Sequence, residues 1–143
     1  MTANSPADAG NIDNPEVHSL DGRELSASLT VNDLEKSFTW YCYVLGFAVD
    51  EKYEREGKLV AASLRAGSAR IVLGQDDGAK GFDRVKGEGF SLRITTDQDI
   101  DDLANRIKER GGVLASEPAD VYGARTFRLL DPDGFRLVIS SVR

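Results

Sequence analysis

Few side chains in this sequence could do chemistry, and their scarcity is informative. The 143 residues include one histidine, His18, and one cysteine, Cys42. A metal held by nitrogen and sulfur needs several such ligands, so one chain cannot build a two-histidine or multi-cysteine site. A Ser-His-Asp triad would have to draw on His18, which lies in a polar N-terminal stretch. Cys42 has no identifiable base nearby and reads as a packed thiol. Asp76, Asp77, Asp83 and Glu88 could supply an acid or a base. They sit in a polar loop, Gln75 to Gly89, where such groups are usually only solvated. Three arginines remain, Arg70, Arg93 and Arg136, whose guanidinium groups can bind carboxylate or phosphate. Tyr53, Phe82 and Tyr122 are candidates to stack on a planar ligand.

The elements that must position these groups form a duplicated pattern. Glu24 to Val31 alternates polar and apolar residues, as a half-buried strand does. Asn32 is expected to cap a helix, with Glu35 completing a capping box. Leu34, Phe38, Tyr41 and Leu45 follow at helical spacing, which puts Tyr41 in the core and Trp40 off the stripe. Gly46 ends the helix. Phe47 to Glu54, Lys58 to Arg65 and Ser68 to Gln75 read as strands.

After the polar loop the order returns. Phe90 to Thr96 is a strand, and Thr96 or Asp97 is expected to cap the next helix. That helix carries Asp99, Asp101 and Asp102 in its first turn and Arg106, Lys108 and Arg110 in its last, which suits the helix dipole. Val113 to Val121, Ala124 to Leu130 and Phe135 to Val142 complete the set. An offset of 65 residues places Ser26 on Ser91, Asn32 on Asp97 and Gly46 on Gly111. The chain therefore reads as a leader, 1–22, and one α+β domain, 23–143, made of two βαβββ modules, 23–75 and 88–143.

Strand alternation assigns faces. Ala27, Leu29 and Val31 oppose Ser26, Ser28 and Thr30, and Ile71 and Leu73 oppose Arg70, Val72 and Gly74. In the second module Leu92 and Ile94 oppose Ser91, Arg93 and Thr95, and Leu137 and Ile139 oppose Arg136, Val138 and Ser140. The apolar sets must pack under the helices. The other face is small and polar and is expected to be wetted or to line a cavity.

Composition closes off other classes. Hydrophobic residues make up 41% and charged residues 29%, ordinary for a globular chain. The apolar stretch at Cys42 to Val49 is far short of the roughly 20 residues a membrane helix needs. The net charge is -6, but residues 1–22 hold four acids and no Lys or Arg, so the rest is nearly balanced. No basic stripe marks a nucleic-acid surface. The leader lacks a basic region followed by an apolar core, so no secretory signal is expected and the cytoplasm is the default.

These residues carry a resemblance. Leu29-Thr30-Val31-Asn32-Asp33-Leu34 running into Tyr41-Cys42-Tyr43-Val44-Leu45-Gly46-Phe47, with Gly123 to Phe127 and Asp131-Pro132-Asp133-Gly134-Phe135-Arg136-Leu137, resemble the vicinal oxygen chelate superfamily. That superfamily includes glyoxalase I, bleomycin resistance proteins and extradiol dioxygenases. The resemblance implies a concave eight-stranded mixed sheet with helices on its outer face. It also implies a divalent metal held from the first and fourth strand of each module. Carried over singly, those ligand positions fall on Ser26, Val72, Ser91 and Val138. Two are aliphatic and two are neutral hydroxyls, so neither a metal nor another cofactor is expected.

What the resemblance then implies is the bleomycin-resistance branch: a homodimer that binds small molecules between its subunits, with antibiotic or metabolite sequestration as the role. The expected ligand-binding set is Ser26, Ser28, Tyr53, Arg70, Val72, Phe82, Ser91, Arg93, Tyr122, Arg136 and Val138, with no catalytic residue among them. Two readings stand beside it. One is a glyoxalase- or dioxygenase-like enzyme using the same cavity without the usual metal ligands, and the other is an interaction domain with no small ligand. Neither a nucleic acid nor a membrane is an expected partner.

Overall fold

The computed structural model describes Asp13 and residues 20–142. Most of the expected leader, His18 included, lies outside the described residues. The element order is β1 (Ala27–Val31), α1 (Leu34–Thr39) running into a π-helical segment (Trp40–Leu45), β2 (Ala48–Arg55), β3 (Lys58–Ala66) and β4 (Ala69–Gln75). The second module repeats it with β5 (Leu92–Thr96), α2 (Ile100–Glu109), β6 (Leu114–Val121), β7 (Ala124–Leu130) and β8 (Arg136–Ser141). The strands form two four-stranded mixed sheets, ordered β1-β4-β3-β2 and β5-β8-β7-β6. In each, the first strand pairs parallel to the fourth, and the hairpins are antiparallel. The α+β class and the duplicated module are thus present.

The repeat extends to backbone conformation. The β2–β3 turn has positive φ at Glu56 (54°) and Gly57 (74°), and the β6–β7 turn has it at Tyr122 (49°) and Gly123 (82°). Two successive left-handed residues match the right-handed twist of a tight hairpin. Tyr122 holds this conformation without the freedom of a glycine.

Both helix caps differ from the sequence expectation. In the first module Asp33, not Asn32, caps α1, accepting from the Lys36 N–H at 3.2 Å. Asn32 is engaged elsewhere: its N–H donates to Asp133 Oδ2 at 3.2 Å and its side-chain amide donates to the Phe82 carbonyl at 3.0 Å. In the second, Thr96 Oγ1 accepts from the Gln98 N–H, which delays the helix until Asp99 caps it. Beyond α1 the helix widens to a π-turn and ends at Gly46 (φ 92°), as expected of a C′ glycine. The buried line is Leu34, Ser37, Tyr41 and Val44, with Phe38 and Leu45 only partly covered.

The buried cluster spans both modules. Leu29, Val31, Leu64, Ile71 and Leu73 from the first join Ile107, Phe127, Leu129, Leu137 and Ile139 from the second. At its centre the Tyr41 hydroxyl donates to Asp131 Oδ2 at 2.8 Å. Asp131 also accepts the N–H groups of Asp133 and Phe135, so a turn of the second module is built around a carboxylate held by the first. Burial, and then the adjacent Asp131, push the Tyr41 phenol far above its ordinary value. Gly112 fits where the modules touch: a Cβ there would lie 2.9 Å from Val44 Cγ1 and would also clash with Ile107.

The loop between modules is fastened by a second buried carboxylate. Asp76 receives Lys86 Nζ at 2.7 Å, Arg84 Nη2 at 3.0 Å and the Gly78 N–H at 2.8 Å. Lys86 also donates to the Thr30 carbonyl at 3.0 Å. Gly87 (φ 74°) lies against Phe135, where a Cβ would fall 2.9 Å from its Cα.

Two predictions follow from these carboxylates. Tyr41→Phe leaves Asp131 short of one donor in the core and should cost roughly 1–3 kcal/mol. Urea unfolding should show a lower midpoint with an unchanged slope. The Lys86 hydrogen bond, followed by the Gly78 N–H, holds the Asp76 carboxyl well below the usual carboxylate range. Its contribution is therefore fully present above the unfolded-state value, about pH 4, and is lost as pH falls below it. Asp76→Asn should be less stable than the parent at pH 7. It should also lose less stability between about pH 5 and pH 2 in acid-unfolding curves.

Candidate functional site

The helix-free faces of the two sheets are built from the strands that sequence alternation singled out. Ser28 pairs with Val72, and Arg93 pairs with Val138. Ser28 and Arg93 are exposed, Val72 is half-buried and Val138 is buried. The matching central positions thus differ, open in the first module and covered in the second. Ser26 and Ser91 are exposed and precede β1 and β5 instead of lying within them.

The arginines fall into two groups. Arg70, expected as an anion ligand, faces Glu24 at 3.5 Å and Asp50 at 3.9 Å. Its cross-strand neighbour Arg65 pairs with the same Asp50 at 3.2 Å. The first face is therefore internally neutralised. In the second module Arg93 and Arg136 are exposed, and among the described residues neither has a carboxylate within ion-pair distance. Sequence reasoning missed a third, Arg128, which sits opposite Val138 in β7. Its signal was available, because Thr126, Arg128 and Leu130 alternate with Phe127 and Leu129.

The aromatic candidates are dispersed. Tyr53, in β2, donates its hydroxyl to Glu51 at 2.8 Å. Phe82 is in the inter-module loop, with its ring packed on Gly78. Tyr122 is at the tip of the β6–β7 hairpin, 88% exposed. By register Tyr53, opposite Ala61, shares the first module's helix-free face with Ser28, Val72 and Arg70, whereas Phe82 lies in a loop and Tyr122 at a hairpin tip.

A cavity of about 640 Å³ lies between the modules, along the open edge of β5. Phe47, Leu103 and Ile139 contribute apolar walls, and Arg93, Arg106 and Arg110 contribute cations. Of the expected binding residues, Arg93 alone borders it. Arg110 is held there by the Tyr43 carbonyl at 3.2 Å and by the Tyr43 ring, 5.6 Å away.

The donor set does not fit a divalent metal. Val72 and Val138 offer no lone pair, and Ser26 and Ser91 are neutral hydroxyls ahead of their strands. Among the described residues no three His, Cys, Asp or Glu side chains gather as a metal site would require. No helix among them is long and apolar enough to cross a membrane.

Comparison with known proteins agrees with this architecture. The chain is 33% identical over 122 residues to a protein from Vibrio cholerae named "Probable lactoylglutathione lyase", covering 80% of this chain and 87% of that one. A Synechocystis protein of the same name is 28% identical over 120 residues, covering 79% and 90%. Among solved structures, TnmS3, described as an antibiotic binding protein from Streptomyces, superposes with a TM-score of 0.69 at 21% identity, covering 88% of this chain and 100% of that one. TioX from Micromonospora gives 0.69 at 17% identity, covering 84% and 98%. At such identities these two establish the shared fold. A sequence profile matches residues 25–139, most of the chain, and with the paired βαβββ modules it shows that the chain belongs to the Glyoxalase/Bleomycin resistance protein/Dioxygenase superfamily.

Proposed function

We propose that this protein binds and sequesters a small molecule, an antibiotic or a metabolite, without a metal and without transforming it. The observation that carries this reading is the chemistry at the superfamily's ligand positions. Ser26, Val72, Ser91 and Val138 keep the scaffold but cannot supply a Lewis acid site. The antibiotic-binding neighbour TnmS3 supports it, because the same fold serves that purpose there. The expected set, Ser28, Val72, Arg93, Arg136 and Val138 foremost, is the binding surface in this reading.

The assembly in this reading is a homodimer, and the strand edges support it. The outer edges are guarded: β2 has two register breaks and five charged residues, and β6 has two breaks and Pro118. The inner edges, β1 and β5, are five-residue strands with unbroken register. A second copy laid along them would close the β5-edge cavity and bring the open Ser28–Val72 row of one chain toward Arg93 of the other. Light scattering should give twice the chain mass at micromolar concentration, and a monomer there would count against this assembly.

An enzymatic reading draws on the Vibrio cholerae relative and its printed name. It needs a free acid or base on the helix-free face. Asp50 there is engaged by Arg65 and Arg70, and Glu51 by the Tyr53 hydroxyl.

A thermal-shift screen against antibiotics and metabolites separates these readings. A sequestered ligand should raise the melting temperature by mass action, whereas added Zn²⁺ or Ni²⁺ should not. Metal-dependent stabilisation, or turnover of lactoylglutathione by the purified protein, would overturn the sequestration reading.

A further inference from the structure

The two helix-free faces differ in electrostatics, although their folds repeat. On the first, Arg65 and Arg70 are both spent on Asp50 and Glu24. On the second, Arg93 and Arg128 flank Val138 on either side through direct register pairing. Neighbouring strands lie about 4.8 Å apart, so their Cα atoms are roughly 10 Å from each other across β8. Arg136 stands on the same face of β8, two residues before Val138 and roughly 7 Å along the strand. Three exposed guanidinium groups therefore rise around one buried, apolar point. Among the described residues no carboxylate is within ion-pair distance of any of them.

Like charges grouped in this way raise a positive potential over that point, which favours an anion. Arg106 and Arg110, on the cavity beside Arg93, add to the same field, against one acid of that lining, Asp97. Guanidinium forks match the oxygen pairs of carboxylates and phosphates, and several forks from different strands can grip one oxyanion from different sides. Buried hydroxyls lie on the same face: Thr126 and Ser140 pair across β7 and β8, with their oxygens 3.4 Å apart.

We infer that the second module's helix-free face is an oxyanion-recognition site, in which Arg93, Arg128 and Arg136 bind a carboxylate or phosphate group of the ligand. This inference rests on the binding-protein reading above and narrows its ligand to an anion. The first module supplies no counterpart, so recognition of the charged group is confined to the second module.

The test uses the full-length protein and two simple probes, pyrophosphate and succinate, at constant ionic strength. Amide NMR titration should show saturable shifts confined to β5, β7 and β8 with at least one probe. The probe that saturates tells phosphate from carboxylate. Arg93→Gln, Arg128→Gln and Arg136→Gln should each weaken binding about tenfold or more. Arg65→Gln, already neutralised by Asp50, should change it less than about twofold. All four side chains are exposed, and melting curves verify that the variants fold. Shifts scattered over every basic residue, or equal losses in Arg65→Gln, would overturn the site.

The two readings fail separately. If uncharged compounds from the thermal-shift screen bind the faces while neither probe saturates, sequestration stands and the oxyanion site falls. If the probes bind as described but lactoylglutathione is turned over, the oxyanion site stands and sequestration falls.

Discussion

The hydrogen bond from Tyr41 to Asp131 is the constraint on which the rest of the structure depends. It joins a helix of the first module to a turn of the second, inside a core that both modules share. Burying a carboxylate is expensive unless its oxygens are satisfied, and here a phenol and two backbone N–H groups do so. Burial still pushes the Asp131 carboxyl above its ordinary value, against the hydrogen bonds that lower it. The turn it organises sets where β8 begins, and β8 carries Arg136 and Val138. The orientation of β8 and its arginine is thereby coupled to the packing of a helix of the other module.

The same division of labour recurs across the molecule. Apolar alternation buries one face of each sheet, and the opposite face is left to electrostatics. Duplication gave both faces the same strand order, but local acids diverged. Asp50 on β2 silences the arginines of the first module, whereas Ser116, on the corresponding outer strand of the second, stands opposite Arg128 and carries no charge. A difference of a few side chains has therefore produced two chemically distinct surfaces on one repeated scaffold.

Much of this was legible in the sequence, for physical reasons that vary by feature. The positions and faces of the first and fourth strands followed from two-residue alternation, which any half-buried strand must show. Gly46 was legible because its backbone conformation favours glycine. The caps were not, because Asn32 is recruited by Asp133 and Phe82, residues 101 and 50 positions away. The pairing of Arg70 with Glu24 and Asp50 is likewise a tertiary fact that no local pattern encodes. Arg128 is within reach of alternation alone, because it alternates with the core residues Phe127 and Leu129. The inter-module cavity, bordered by Arg106 and Arg110, depends on how two modules dock, which spacing does not specify.

The fastening of the inter-module loop bears on how chains can combine. A connection of this length could act as a hinge, letting two chains trade their second modules and form an intertwined pair. Here Lys86 is tied to both Asp76 and the Thr30 carbonyl, Asn32 holds the Phe82 carbonyl, and Gly87 is pressed against Phe135. Trading modules would require releasing these ties together with the Tyr41–Asp131 bond before any replacement contact could form. The loop is thus a strap that fastens the two modules of one chain to each other.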